Sequence, residues 1–387
     1  MSLPISIPLL LPQVPDREAL WPYLGRIDEK RHYSNFGPLV KELESRLAER
    51  FQAHSSHTLQ VVTTSSATLG LELALSSLDL PKGSHILVPA LTFVATLTAV
   101  IRAGHIPVVT DIDPASWLLT PDIAKNVIKE SNAKAALVVA TFGQPQDTVA
   151  WSEFQKSTGI RIVIDAAGAF GSQWVTASDI PVVFSMHATK SLVAGEGGFV
   201  VCGDGKTTAL IAQLSNFGIN LNPDANLPVG QLSYAGSNAK LSEFHGAVGL
   251  ASLDSWDAQA EKRQTIYAHY RQTLDDACNN AITWQSGDIL AAPNTLSIRV
   301  GSSAKREYLE RICAEKGIGT RRWYQPLLHQ HAKKIGPVIH LDTTEADKIA
   351  TDLIGLPFSV FITTEQIQQI ADIVNKVVSN NHSPHQV

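Results

Sequence analysis

Short apolar runs alternate with helical patterns through the first two thirds of the chain. The runs are nearly continuous in apolar residues, which is typical of parallel strands buried on both faces, and the helical patterns fit crossover connections between them. We therefore predict an α/β fold in which a mostly parallel central sheet is covered by helices on both faces. The predicted strands lie at 59–63, 85–88, 107–110, 135–140, 161–164, 182–184 and 198–202, and the predicted helices at 68–78, 93–103, 121–130 and 150–157.

The last third of the chain follows a different pattern. Residues 216–238 are rich in Gly, Asn and Pro and predict a long loop, a kind of segment that is usually functional in a compact domain. Residues 241–276 predict one long helix, straight or bent, that leads into a second domain. Beyond it, a strand followed by three helices predicts a smaller α+β domain. We place the large domain at 1–254 and the small C-terminal domain at 255–387, and we expect 382–387 to be a frayed tail.

Composition narrows the class of protein. An apolar content of 44% is ample for a core, and a net charge of −5 with scattered Lys and Arg gives no electrostatic basis for nucleic-acid binding. Cys202, Cys278 and Cys313 are far apart and predict buried thiols in a reducing compartment. The apolar start lacks a basic flank, and no run reaches transmembrane length. We therefore expect a cytoplasmic protein that binds neither nucleic acid nor a membrane and holds no metal.

Two polar residues follow apolar runs and suggest a specific chemistry. Asp165 ends one run, and Lys190 lies beyond another, just before the glycines of 195–198. This pair is what pyridoxal phosphate (PLP) chemistry requires, because the lysine forms a Schiff base with the cofactor aldehyde and the aspartate keeps the pyridine nitrogen protonated. A lone lysine would more often be a solvated loop residue, and a lone aspartate a helix cap. The two motifs together favour a PLP site.

Further motifs fit the same cofactor, although each also has an ordinary structural explanation. Residues 65–68 follow a strand and open a helix, where free N–H groups and hydroxyls bind phosphate, but Ser and Thr are also common helix caps. Ser185 is placed to add another hydroxyl to that phosphate. Phe93 either stacks on the pyridine ring or belongs to the core. His187 is an acid, a base or a structural group, and we favour the last because Lys190 already supplies a base.

These motifs resemble the DegT/StrS family of PLP-dependent sugar aminotransferases, which has the fold type I architecture of aspartate aminotransferase. The resemblance covers nearly the whole chain. The runs that carry it are 35–38, 43–44, 66–68, 88–93, 111–113, 165–167, 185–190, 196–198, 236–243 and 356–357.

The resemblance implies a PLP cofactor and a role for each matching residue. Lys190 holds the cofactor covalently, and Asp165 pairs with its pyridinium nitrogen. Asn238 matches a family residue that reaches the phosphate of the neighbouring subunit's cofactor, which implies a homodimer with shared active sites. The remaining cofactor residues that the resemblance implies are Phe93, which stacks on the ring, and Ala67, Thr68 and Ser185, which hold the phosphate.

The chain departs from the family pattern at three positions. Gly168 stands where members commonly carry Gln or His beside the cofactor's 3-oxygen, and Phe170 stands where many carry His. Ala67 replaces the glycine that usually precedes the phosphate-binding threonine. Gly168 leaves room that a water or a substrate group would fill. It also keeps open an alternative of another class, a PLP-binding regulatory protein without turnover.

The resemblance implies transfer of an amino group from an amino acid, usually glutamate, to a keto sugar that is commonly carried on a nucleotide. Lys190 would act twice, first as the attachment point and then as the base that shuttles a proton. The runs 184–190 and 35–38 are most similar to members that aminate a 4-keto-6-deoxy hexose on dTDP. The alternative enzyme is an aminotransferase for a cyclitol or another ketone.

Residues 320–329 are the predicted substrate-binding stretch, because they concentrate two arginines, two aromatic residues and a histidine. Arginine grips phosphate oxygens in a fork, and aromatic rings pack on sugar faces. We expect Tyr324 and His329 to contact the sugar and Arg321 to bind either the nucleotide phosphate or the donor carboxylate. The structural alternative is a surface strand of the small domain with half-buried aromatic residues.

Overall fold

The computed structural model describes residues 6–287, 291–331 and 333–379. Its strands are β1 (Gln60–Thr64), β2 (His85–Pro89), β3 (Ile106–Thr110), β4 (Ala133–Val139), β5 (Arg161–Asp165), β6 (Val182–Ser185), β7 (Gly198–Cys202), β8 (Leu296–Arg299), β9 (Ile339–His340) and β10 (Leu353–Leu356). Eight of them form one sheet in the order β1-β7-β6-β5-β4-β2-β3-β9. Only β7 runs antiparallel to its neighbours in this sheet, so the prediction of a mostly parallel sheet is confirmed.

Helices cover both faces of this sheet, as predicted. The helices are α1 (Arg17–Lys30), α2 (Pro38–Gln52), α3 (Ala67–Ser76), α4 (Val94–Arg102), α5 (Pro121–Ser131), α6 (Thr148–Thr158), α7 (Gly205–Ser215), α8 (Glu243–Asp254), α9 (Trp256–Cys278), α10 (Ser303–Glu315), α11 (Thr344–Asp352) and α12 (Thr364–Ser379). Alternate strand residues enter two apolar cores. Val182 and Phe184 pack in the core that α2 and α8 cover, whereas Val183 packs in the core that α3 and α4 cover.

One predicted helix is two helices in the structure. The segment 241–276 divides at Ser255, whose backbone leaves the helical conformation (φ −96°, ψ 3°). The division has a packing cause, because Trp256 turns inward and its ring meets that of Phe170 at 4.4 Å. Trp256 is fully buried there, so α9 begins with an anchor in the core and continues in a new direction. The predicted loop 216–238 is present, and it folds back on itself through a bridge between Asn216 and Asn238.

The C-terminal part has its own apolar core. The strands β8 and β10 form a separate antiparallel pair, and α9, α10 and α12 pack on it. The short strand β9 instead extends the large sheet beside β3, so the chain returns to the large sheet before α11 begins. The domain boundary after residue 254 therefore stays a prediction, and the predicted tail at 382–387 lies outside the described residues. None of the helices in the described ranges is long and apolar enough to cross a bilayer.

Several chain segments converge at one edge of the sheet. Because β1, β2, β5 and β6 are oriented alike, their carboxyl ends lie at the same edge, where ligands bind in open α/β sheets. The segment that follows β1 opens α3, and the one that follows β2 opens α4. Asp165 ends β5, and Ser185 ends β6 shortly before Lys190. The topology thus brings the segments that carry Thr68, Phe93, Asp165 and Lys190 to one edge of the sheet, and the region between these segments is called the cleft below.

Candidate active site

Asp165 is a buried carboxylate held by two hydrogen bonds. It is 5% exposed, and it accepts the backbone N–H of Ala167 at 3.0 Å and the hydroxyl of Thr96 at 3.1 Å. Thr96 shares a further hydrogen bond with Thr92 at 3.0 Å. Burial raises the pKa of Asp165, and these bonds together with the charge of Lys190 oppose that rise. The carboxylate is therefore fixed in direction and in need of a cationic partner.

Lys190 lies in a tight turn after β6, where its backbone N–H donates to the carbonyl of His187 at 2.9 Å. Burial lowers the pKa of Lys190, and the negative charge of Asp165 opposes that change. No ion pair within 4.0 Å joins the two side chains, although each influences the charge of the other. An amine that loses its proton easily and a carboxylate thus face a shared space without neutralising each other.

The start of α3 forms an anion site beside these two groups. Ser66 caps the helix by accepting the N–H of Leu69 at 3.2 Å, and the first N–H groups of any α-helix, here those of Ala67 and Thr68, have no acceptor within it. A Cβ atom at Gly198 would stand 2.5 Å from the nitrogen of Ala67, so only glycine permits this close approach. Gly198 pairs with Ser185 across β6 and β7, so Ser185 lies one strand away from the helix start, and its hydroxyl accepts the N–H of His187 at 3.2 Å.

Aromatic rings line the same region. Phe93 precedes α4 and is 53% exposed, so it does not belong to the core, and its ring centroid lies 6.0 Å from that of Tyr324. Tyr324 stacks on Phe142 at 5.3 Å with nearly parallel planes. Burial raises the pKa of Tyr324, and the nearby charge of Asp165 adds to the rise. Tyr324 therefore reaches the cleft from the C-terminal part of the chain, and its contact with the sugar stays a prediction.

The other predicted substrate residues have contacts of their own. Arg321 is exposed, and its guanidinium lies over the ring of Trp323 at 5.4 Å. His329 bonds to Asp347 at 3.1 Å through Nε2. No contact recorded within the described ranges links His329 to the carboxylate or the amine of the cleft, so its sugar-binding role stays a prediction. The stretch is also not the surface strand considered as an alternative, since only Arg321 forms a bridge, to Gly355.

Asn238 lies on the rim of the cleft. Its side chain is exposed, and Oδ1 accepts a hydrogen bond from the ammonium of Lys240 at 2.8 Å. The next residue, Ala239, accepts the backbone N–H of Ser65 at 2.7 Å, which ties this segment to the start of α3. His187 bonds to Thr189 at 2.8 Å through Nδ1, in agreement with a structural role.

Sequence reasoning missed the hydroxyls that hold Asp165 and the ring that supports Tyr324. Thr96 is buried within α4, and Thr92 is buried just before it. In the sequence, only the presence of a polar residue on the apolar face of that helix could have indicated their role. Phe142 belongs to a short turn after β4 with a positive φ of 58°, and nothing in the sequence marks it. These contacts depend on how segments distant in the chain pack together.

The residues present fit PLP on three observations. Lys190 and Asp165 influence each other's charge without forming an ion pair within 4.0 Å, so both groups keep their capacity to bind a ligand. The α3 start and Gly198 provide an N–H cradle for a phosphate. The exposed ring of Phe93 offers a face for a planar heterocycle. Together these groups match the three chemical parts of the cofactor, which are its aldehyde and ring nitrogen, its phosphate and its aromatic face.

Comparison with known proteins agrees with this geometry. The sequence model of the DegT/DnrJ/EryC1/StrS aminotransferase family matches residues 16–375. The chain is 28% identical over 375 residues to dTDP-4-amino-4,6-dideoxy-D-glucose transaminase of Shigella dysenteriae (95% of this chain, 97% of the relative). It is 26% identical over 384 residues to GDP-perosamine synthase of Escherichia coli O157:H7 (97% and 99%). Its fold is similar to the crystal structure of DesI in the presence of its TDP-sugar product (TM-score 0.83, 27% identity, 98% and 94%).

Proposed function

We propose, because the chain belongs to the DegT/DnrJ/EryC1/StrS aminotransferase family, that it transfers an amino group from glutamate to a keto sugar carried on a nucleotide. The chain is a PLP-dependent aminotransferase. The proposal that this protein catalyses the reaction rests mainly on one observation. The half-buried Lys190 and the buried Asp165 lie at the same edge of the sheet as an anion cradle, close enough for the charge of each to influence the pKa of the other.

Different residues of the chain would perform different steps of the reaction. When bound, PLP supplies an aldehyde that takes up the amino group and a ring that delocalises electrons. Lys190, whose pKa is lowered by burial, would hold the cofactor and then move a proton with its Nζ atom. Asp165, fixed by Thr96 and Ala167, accepts a hydrogen bond from a ring N–H and stabilises positive charge there. The α3 start binds the phosphate and so sets the position of the ring.

For the sugar, we propose a 4-keto-6-deoxy hexose on dTDP. The Shigella relative is named for a dTDP-linked 4-amino-4,6-dideoxy sugar, and DesI was solved with a TDP-sugar product. The ring of Tyr324, which lies beside that of Phe93, supports a substrate with a sugar face. A cyclitol or another ketone is the alternative substrate. A regulatory protein without turnover is less favoured, because the amine and the carboxylate that the reaction needs are both in place.

The proposal is tested by following the two half-reactions separately. Glutamate alone should convert the yellow protein to a form that absorbs at shorter wavelength and should release one 2-oxo acid per site. A panel of dTDP- and GDP-linked keto sugars is then added, with a keto cyclitol as comparison, and the amino product is identified by mass spectrometry. The proposal is wrong if glutamate leaves the spectrum unchanged or if only the cyclitol restores the yellow form.

We also propose that the protein works as a homodimer with shared sites. Asn238 is exposed at the rim of its own cleft, and the loop that precedes it carries several exposed apolar side chains. Single exposed apolar residues are common, but a cluster of them in one loop indicates a contact surface. The exposed apolar residues of this loop are Phe217, Leu221, Leu227, Val229, Leu232 and Tyr234.

Mixing two inactive variants tests the shared site. Lys190→Ala and Asn238→Ala proteins, each poorly active alone, should regain activity when refolded together, because one site of the mixed dimer then contains both native residues. With free subunit exchange, up to about a quarter of the sites should recover. Wild-type protein refolded alone serves as the control for yield. A fully active monomer in sedimentation at micromolar concentration would contradict the proposal.

Tyr324 should contribute to binding of the keto sugar. Tyr324→Ala removes a ring that contacts both Phe93 and Phe142, and we expect the KM for the keto sugar to rise by at least about tenfold. Tyr324→Phe keeps the ring and isolates the effect of the hydroxyl. Arg321→Ala should raise the KM of either the sugar or glutamate. If Tyr324→Ala and Arg321→Ala leave both constants unchanged, the stretch 320–329 is structural only.

A further inference from the structure

A short segment of the C-terminal half, residues 291–294, lies directly against the turn that follows Asp165. The backbone N–H of Ala291 donates to the hydroxyl of Ser172 at 3.1 Å, and the guanidinium of Arg263 donates to the carbonyl of Pro293 at 3.3 Å. Ala292 lies 3.1 Å from the position that a Cβ at Gly171 would take. The segment is therefore fixed to the turn that follows β5 through Ala291 and to α9 through Pro293.

Arg263 explains why this segment is held firmly. Its side chain is 5% exposed, and burial lowers its pKa to about 10. A buried guanidinium is costly unless its N–H groups find acceptors, so the carbonyl of Pro293 becomes a required partner. The residue after Pro293 is Asn294, whose position is consequently set by α9 as well as by the turn.

The buried amide of Asn294 lies between the segment that carries Lys190 and the turn that follows Asp165. It is 6% exposed, and its Nδ2 donates to the carbonyl of Thr189, the residue before Lys190, at 3.4 Å. Its Oδ1 lies 3.5 Å from the place that a Cβ at Gly168 would occupy. A hydrogen bond of 3.4 Å is at the long end of the range, so the amide retains donor capacity for a better acceptor.

We propose that Asn294 is a cofactor-binding residue that fills the room left by Gly168 and donates a hydrogen bond to the phenolic oxygen of PLP. Lys190 engages the aldehyde end of the ring and Asp165 the nitrogen end. In PLP one edge between these ends carries the phosphate arm and the other carries the phenolic oxygen. An amide that touches the segments of both Lys190 and Asp165 is suited to the second edge. The proposal rests on the roles proposed above for Lys190 and Asp165.

The test measures the bound cofactor rather than turnover. Apoprotein of Asn294→Ala is titrated with PLP, and we expect the dissociation constant to increase about tenfold. The pH at which the visible band of the bound cofactor changes should rise, because loss of a donor to an anionic oxygen favours the protonated form. Thr295→Ala is the matched control, since it truncates the next side chain, whose hydroxyl lies in a small cavity beside Trp284.

A second substitution distinguishes the loss of a hydrogen bond to the cofactor from a simple folding defect. Gly168 has no positive φ, and a Cβ there would meet only Oδ1 of Asn294 at 3.5 Å, an ordinary van der Waals distance, so Gly168→Gln can be built without backbone strain. In the Asn294→Ala background, Gly168→Gln should restore cofactor affinity to within about threefold of the wild type. The proposal is overturned if Asn294→Ala binds PLP as the wild type does with an unchanged pH midpoint, or if the amide at 168 restores nothing. Failure of the Lys190 assignment differs, because borohydride reduction of the wild type would then give no cofactor adduct on Lys190.

Discussion

Lys190→Ala is expected to abolish amino-group transfer and to leave a folded protein that still binds PLP noncovalently. The variant lacks both the attachment point and the base, so the rate should fall by at least about a thousandfold, or about 4 kcal/mol of activation free energy. The fold should survive, because the lowered pKa of Lys190 shows that its burial opposes rather than assists the charged form. Single-turnover absorbance after mixing with glutamate measures the loss.

The attachment point can be mapped independently of activity. Borohydride reduction of the yellow wild-type protein should fix the cofactor on Lys190, and peptide mass spectrometry identifies the modified residue. Lys206→Ala is a matched control, because it removes a lysine at the start of α7. This helix follows the antiparallel strand β7 and so begins at the opposite edge of the sheet from the cleft. That variant should keep its colour. A reduced adduct on any lysine other than Lys190 would refute the assignment.

The sheet was predictable because its strands are buried on both faces. In β5 and β6 a run of three consecutive apolar residues marks each strand in the sequence, and helical patterns mark the crossovers between them. The break between α8 and α9 was not predictable in the same way. It depends on Trp256 meeting Phe170, a contact between residues far apart in the chain. The helices α1, α2 and α7 were also not identified, although Asp204 caps α7 with its side chain.

The cleft was predictable only in part, for a related physical reason. Asp165 ends one apolar strand and Lys190 follows another after a short turn, so the position of each residue is set by its own strand and turn. Thr96 and Asn294 act on the same cleft from α4 and from the C-terminal half, and only tertiary packing brings them there. His329 has the residue type of a sugar ligand, yet its bond to Asp347 is compatible with a structural role.

Asp165→Asn is expected to slow the glutamate half-reaction by about a hundredfold or more, close to 3 kcal/mol, while the protein remains folded. The substitution keeps the shape of the side chain and its acceptor oxygen for Ala167 or Thr96, but it removes the negative charge that stabilises a protonated ring nitrogen. Stopped-flow absorbance at saturating glutamate measures the rate. Asp179→Asn is the matched control, because Asp179 precedes β6 at the opposite edge of the sheet and accepts hydrogen bonds from Ser152.

Thermal stability of the apoprotein separates the chemical role of Asp165 from a structural one. Burial raises the pKa of Asp165 above its ordinary value, so the folded state binds more protons than the unfolded state between the two values. Stability of the apoprotein is therefore lost as the pH rises through that window, and the loss is complete above the folded-state pKa. Asn cannot ionise, so at neutral pH the Asp165→Asn apoprotein should melt no lower than the wild type. A variant that melts much lower, or that turns over glutamate at a near-normal rate when folded, would show that this carboxylate serves the fold rather than the cofactor.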